Sequence, residues 1–150
     1  MTAQSEFVHR ERVRFGDLDA MRHLNNVVFL RYFETARIAY LRELIPGHDP
    51  AGPERDGFGF IFAECHINYR SPVHFDEDLD VNCSIGEVRR SAFQVLFTMT
   101  VDDRVAAEGD GWLWVTTTRP STPRSSPSSC ARHSLQPLQP LLDAGPLAQG

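Results

Sequence analysis

Residues 17–26, DLDAMRHLNN, carry the groups in this chain best placed to do chemistry. Two carboxylates (Asp17, Asp19), a histidine (His23) and two amides (Asn25, Asn26) stand directly before the apolar-rich run VVFLRYFETARIAYLREL. A carboxylate held against an electrophile can attack it or draw a proton from water. An imidazole is an acid–base candidate by type, but loop structure or substrate positioning is the stronger reading of His23. The asparagines suit the N-cap of a helix. The first N–H groups of that helix lack intrahelical partners, and its positive end stabilises an oxygen gaining negative charge. Asp17 and Asp19 are two residues apart, so in an extended segment their side chains point opposite ways. One then faces the site and the other faces solvent or a turn N–H, the ordinary Asx-turn role of a loop aspartate.

The elements that must position these groups follow from periodicity. Apolar residues at Val27, Phe29, Leu30, Phe33, Ala36, Tyr40, Leu41 and Leu44 recur at spacings of three and four and predict a helix over 27–44. Val28, Ile38 and Ala39 widen its apolar face, leaving Arg31, Glu34, Arg37 and Arg42 to find water or partners. Pro46 and Gly47 stop it. Residues 6–15 alternate as a strand, and 46–59 form a Gly/Pro/Asp-rich loop. Four more strands are predicted at 60–71, 79–89, 92–102 and 104–118, with a bulge at Glu108-Gly109. One helix and about five strands imply an α+β domain over 1–119, an antiparallel sheet with one face on the helix and the other wet or covered by a second subunit. Residues 120–150 hold six of the ten prolines and read as a Pro/Ser-rich, disordered tail. Within it, Leu135, Leu138, Leu141 and Leu142 are candidates for a docking segment.

Composition narrows the function classes. The 150 residues carry a net charge of -5, against the basic face of a nucleic-acid binder. All 15 basic residues are Arg, which removes lysine Schiff-base and P-loop lysine chemistry. Cys65, Cys83 and Cys130 match neither a disulfide framework nor a zinc site. With no apolar signal region and no membrane-length apolar run, the expectation is a soluble, cytoplasmic protein.

RFGDLDAMRHLNNVVFLRYFETAR resembles the N-terminal signature of the hotdog-fold acyl-CoA thioesterases, the family that includes the 4-hydroxybenzoyl-CoA thioesterases. Asp19 matches the signature aspartate, His23 its histidine, and Asn25 and Asn26 its asparagines; FLRYFETAR at 29–37 matches the block that follows. INYRSPVHFDEDLDV at 67–81 is similar to the family's Tyr-Arg-x-Pro turn and next strand, and AAEG at 106–109 to its Ala-Glu-Gly. Phe29 stands where tyrosine is common, while Arg22 and Asp76 stand where glycine is usual. The likeness spans roughly residues 7–118.

The resemblance implies a hotdog fold, a sheet wrapped around one long helix, with sites at the interfaces of a homodimer or dimer of dimers. It implies hydrolysis of an acyl-CoA or acyl-carrier-protein thioester without a cofactor. Asp19 is then the nucleophile or general base, with backbone N–H groups near Asn26, Val27 and Val28 polarising the carbonyl. Glu64 is the alternative carboxylate. Arg70, Arg89 and Arg90 are candidates for CoA phosphate contacts, since guanidinium groups bind phosphate through forked hydrogen bonds. The rival readings are a noncatalytic acyl-thioester-binding protein and a 3-hydroxyacyl-thioester dehydratase on the same fold.

Overall fold

The spacing that predicts a helix produces one over Asn26–Leu44, here α1. Its inward stripe is Val28, Phe29, Tyr32, Phe33, Ala36, Tyr40 and Leu41, all buried. In this computed structural model, which describes residues 7–50, 58–117 and 139–144, the order is β1 (Phe7–Arg12), a 3-10 turn (Phe15–Asp17), α1, β2 (Phe58–Tyr69), β3 (Asp78–Val88), β4 (Ala92–Val101), β5 (Arg104–Thr117) and α2 (Gln139–Ala144). The strands form one antiparallel sheet in the order β1-β3-β4-β5-β2. A long helix against a five-stranded antiparallel sheet is the hotdog arrangement. Phe33 meets fully buried Phe93, Leu79, Ile85, Met99 and Leu113 in one core.

Two sequence expectations are corrected. Register on β5 does not slip at Glu108-Gly109, which pair regularly with Thr98 and Phe97; it slips at Ala106, between the pairs Met99–Ala107 and Thr100–Val105. Gly109 has a different cause: a Cβ there would drive into the His66 carbonyl of β2, so the neighbouring backbone requires the glycine. The tail expectation also changes. Of 120–150 the structure describes α2, which is helical and packs against β3, with Leu141 fully buried in the core. Burying one Leu side chain contributes about 1.5–3 kcal/mol, part of what offsets the ordering of this short helix. Leu142 lies in α2, whereas Leu135, Leu138 and Cys130 fall outside the described residues.

The stretch between β2 and β3 is held from β5. Arg104 donates to Ser71 Oγ and to the Pro72 carbonyl, and it reaches both oxygens of Glu77, at 3.1 and 3.3 Å. Glu77 also accepts the His74 N–H at 2.7 Å. This clamp fixes Val73, whose carbonyl takes the Leu24 N–H at 2.7 Å. Desolvation raises the Glu77 carboxyl, but the His74 N–H and the Arg104 guanidinium outweigh it and hold the group below the usual carboxylate range. A carboxyl depressed in the folded state stabilises the fold above its unfolded value and loses that contribution as pH falls through the folded value. Parent protein should therefore lose melting temperature below its ordinary glutamate value of 4.5 more steeply than Glu77→Gln, which a thermal melt series between roughly pH 3 and 7 would measure. Parallel curves for the two proteins would show that the clamp does not couple to stability.

Candidate active site

The loop before α1 is a tight reversal. Leu18 bridges Leu24, the Asp19 N–H donates to the His23 carbonyl at 2.8 Å, and the Asn25 N–H donates to the Asp17 carbonyl at 2.9 Å. These bonds bring residues 17–19 alongside 23–25, and so beside the start of α1. The two aspartates then part. Asp17 is buried, 8% exposed, while Asp19 is exposed.

Asp17 is a structural group. Its Oδ2 accepts the Tyr32 hydroxyl at 2.6 Å and the Arg14 N–H at 3.1 Å, and Arg31 lies 3.9 Å from Oδ1. Burial, reinforced by the Asp17 carboxylate, raises the Tyr32 phenol well above the ordinary tyrosine range and keeps its donor proton in place. Asp19 is different. Its Oδ1 accepts the N–H groups of Met21 and His23 at 2.8 and 3.2 Å, an Asx-type arrangement that orders the loop. Its second oxygen has no partner among the described residues.

Asn25 is the N-cap: its side chain accepts the Val27 N–H at 3.0 Å, and its carbonyl accepts Val28 at 2.8 Å. Both of those N–H groups are thus committed within the chain, and Asn26 keeps the first-turn N–H that meets no acceptor among the described residues. Tyr69, the last residue of β2, closes this end by donating its hydroxyl to the Asn26 carbonyl at 3.1 Å and packing on Phe29. His23 stands edge-on to His74, with ring centroids 5.3 Å apart.

The other sequence candidates are not gathered here. Glu64 is exposed on the sheet face away from the core, 3.6 Å from the His66 ring, and five residues along β2 from Tyr69, about 17 Å at strand rise. Arg70 follows Tyr69 and so lies near the helix start, already paired with Glu108. Arg89 and Arg90 occupy the β3–β4 turn, beside Ala92 and Trp114 rather than Ala107, roughly 20 Å away along β5. Arg89 pairs with Glu87 and stacks over Trp112. No His/Cys/Asp/Glu cluster among the described residues suits a metal ion.

From Val27 a groove of about 280 Å³ runs along α1 past Leu30, Phe33 and Glu34 to Arg37, with Phe62 of β2 on its other wall. Behind Phe62 and Phe33 lies Gly111, where a Cβ would collide with both rings. Arg37 was the signal that periodicity hid. The sequence groups it with the solvent-facing arginines of α1, yet it is 7% exposed.

Arg22 lies at φ 63° and Asp76 at φ 66°, so the two residues that replace the usual glycines hold the left-handed conformation that glycine adopts without cost.

A family model described as the thioesterase-like superfamily matches residues 13–125. An Aquifex aeolicus protein described as "Putative esterase" is 28% identical over 105 residues, covering 69% of this chain and 80% of that protein. A 1,4-dihydroxy-2-naphthoyl-CoA thioesterase from Synechocystis superposes with a TM-score of 0.71 at 17% identity, covering 93% of this chain and 97% of its own. A DHNA-CoA thioesterase from Staphylococcus aureus gives 0.66 at 19% identity, with 73% of each chain covered. At these identities the two structures speak to the fold.

Two substitutions probe the loop. Asp17→Asn removes the charged acceptor of the Tyr32 hydroxyl and should cost about 1–3 kcal/mol of stability in urea unfolding. Arg22→Gly relieves a left-handed non-glycine residue and should add about 1 kcal/mol. An unchanged unfolding midpoint in either variant contradicts the corresponding reading.

Proposed function

Because this chain belongs to the thioesterase-like superfamily, we propose that it hydrolyses the thioester of an acyl-CoA or acyl-carrier-protein substrate, with Asp19 as the reacting carboxylate. The observation that carries this reading is the division of labour within one loop. Asp17 is buried and spent on structure, while Asp19 is exposed, held through one oxygen, and beside the helix start.

The Asn26 N–H would meet the carbonyl oxygen as negative charge develops on it, a kind of contact whose loss costs about 3–4 kcal/mol elsewhere. The free oxygen of Asp19 then attacks the carbonyl carbon directly, or takes a proton from the water that does. In either case the carbon–sulfur bond breaks, the thiol leaves, and water supplies the oxygen that completes the acid. His23 helps to order the loop through its backbone and lines the approach to Asp19. Arg70 is the candidate of the three arginines best placed for a CoA phosphate, being next to Tyr69 at the helix start.

The functional unit we propose is a homodimer, or a dimer of two such dimers. β2 is an edge strand, with Ile61 and Phe62 exposed along it, and Phe62 also walls the groove. An edge of this length is normally paired or covered.

Asp19→Asn retains a side-chain oxygen for the Met21 and His23 N–H groups but lacks nucleophilic and basic power. Thiol release from a thioester panel should fall roughly a hundredfold or more, with the melting temperature close to the parent. Near-parental turnover in this variant would refute the assignment. An unsaturated thioester as product would identify a dehydratase, and ligand binding by the parent without thiol release a binding protein.

A further inference from the structure

The groove along α1 ends on a buried arginine with an unsatisfied nitrogen. Arg37 is buried, and its Nε makes no hydrogen bond. No ion pair to it forms among the described residues; Glu34 contributes the largest opposing field, and it is exposed. The guanidinium instead stacks over Phe62, 4.4 Å from the ring centroid, with Phe33 on its other flank at 6.0 Å. Burial lowers the Arg37 pKa, the mark of a cation short of solvation. A buried charge left unpaired costs several kcal/mol, and chains seldom retain one without a partner.

Arg37 lies at the end of the groove that begins at Val27 and also lines a second cavity of about 400 Å³ toward His48 and Phe60, so the residue is shared by the two. Ten residues of helix separate Val27 from Arg37, about 15 Å of axis, and an arginine side chain leans back toward the helix start, shortening that span. A volume of about 280 Å³ exceeds the roughly 150 Å³ that accommodates benzene in a dry protein cavity. The groove therefore has the scale of a ring or a short chain bearing one polar substituent, between aromatic walls.

We propose that Arg37 is the specificity residue at the far end of the acyl pocket, and that the preferred substrates are thioesters whose acyl group ends in a carboxylate. This rests on the thioesterase reading and names its substrate class. The thioester carbonyl lies at the start of α1, the aromatic walls hold the body of the acyl group, and the distal carboxylate meets the guanidinium.

The test pairs matched thioesters, 4-carboxybenzoyl-CoA against 4-methylbenzoyl-CoA and adipyl-CoA against hexanoyl-CoA. The parent should favour the carboxylate in kcat/KM by about tenfold or more, the scale of one hydrogen bond to a charged group, chiefly through KM. Arg37→Met should bring that ratio toward one, and Arg37→Lys should retain part of it. In a melting assay, free terephthalate should stabilise the parent and not Arg37→Met, while 4-methylbenzoate stabilises neither selectively. Equal use of charged and neutral thioesters by the parent, or a ratio unchanged in Arg37→Met, overturns the proposal. So does a lowered melting temperature with dissociation of the oligomer and an unaltered ratio, which would assign Arg37 to a carboxylate of a second copy. If no thioester is hydrolysed, the thioesterase reading fails, and the terephthalate melts alone decide whether Arg37 receives a carboxylate.

Discussion

The Tyr32 hydroxyl and the Asp17 carboxylate, 2.6 Å apart, join the helix to the loop on which the site depends. The bond is buried and charge-assisted, the stronger kind of hydrogen bond and the costlier to break. It fixes residue 17, and with it the short reversal that carries Asp19 next to Asn25 and Asn26. The Asn25 cap, the Leu24 bond to Val73 and the Arg104 clamp all tie that same reversal to α1 and to the stretch before β3. On the proposed reading, preorganisation of this kind orients donors and acceptor before substrate arrives.

A single helix on one sheet leaves the other side of the helix short of cover. Val27 and Leu30 are exposed there, and Phe62 on the edge strand faces the same opening. A mostly apolar trough between helix and edge strand has the character of a small-molecule site, and on the proposed reading it receives the acyl group. Arg37 makes the trough more than apolar. Its charge would be a liability in a closed core, and it becomes an asset where the ligand brings the counter-charge.

Much of this was legible in the sequence, and for physical reasons. The recurrence of apolar residues at three and four marked α1 to within one residue of Asn26–Leu44, and alternation marked each strand within a few residues of its ends. The two aspartates do part, but not by strand alternation: Asp17 closes a 3-10 turn, and only the folded loop shows that it is the buried one. Arg37 was not legible, because periodicity assigns any arginine to the wet side and cannot see that two phenylalanines from different elements close over it. Leu141 was visible as one of four tail leucines that could dock, but the composition around it lacks periodicity, so the helix that seats it in the core was not. The glycine-to-Arg22 and glycine-to-Asp76 departures were visible as departures, but their positive φ angles emerge only from the folded backbone.

The claim at the centre is that a carboxylate is needed at position 19 for chemistry and at position 17 for shape. Rescue by formate tests it most directly. With the side chain removed in Asp19→Ala, added formate should restore thiol release in a saturable way, while formamide, which has the shape but not the charge, should not. In Asp17→Ala, formate should leave turnover per folded molecule unaltered. Restoration in Asp17→Ala or Glu64→Ala and not in Asp19→Ala, or parental turnover by Asp19→Ala with no formate present, would contradict the account.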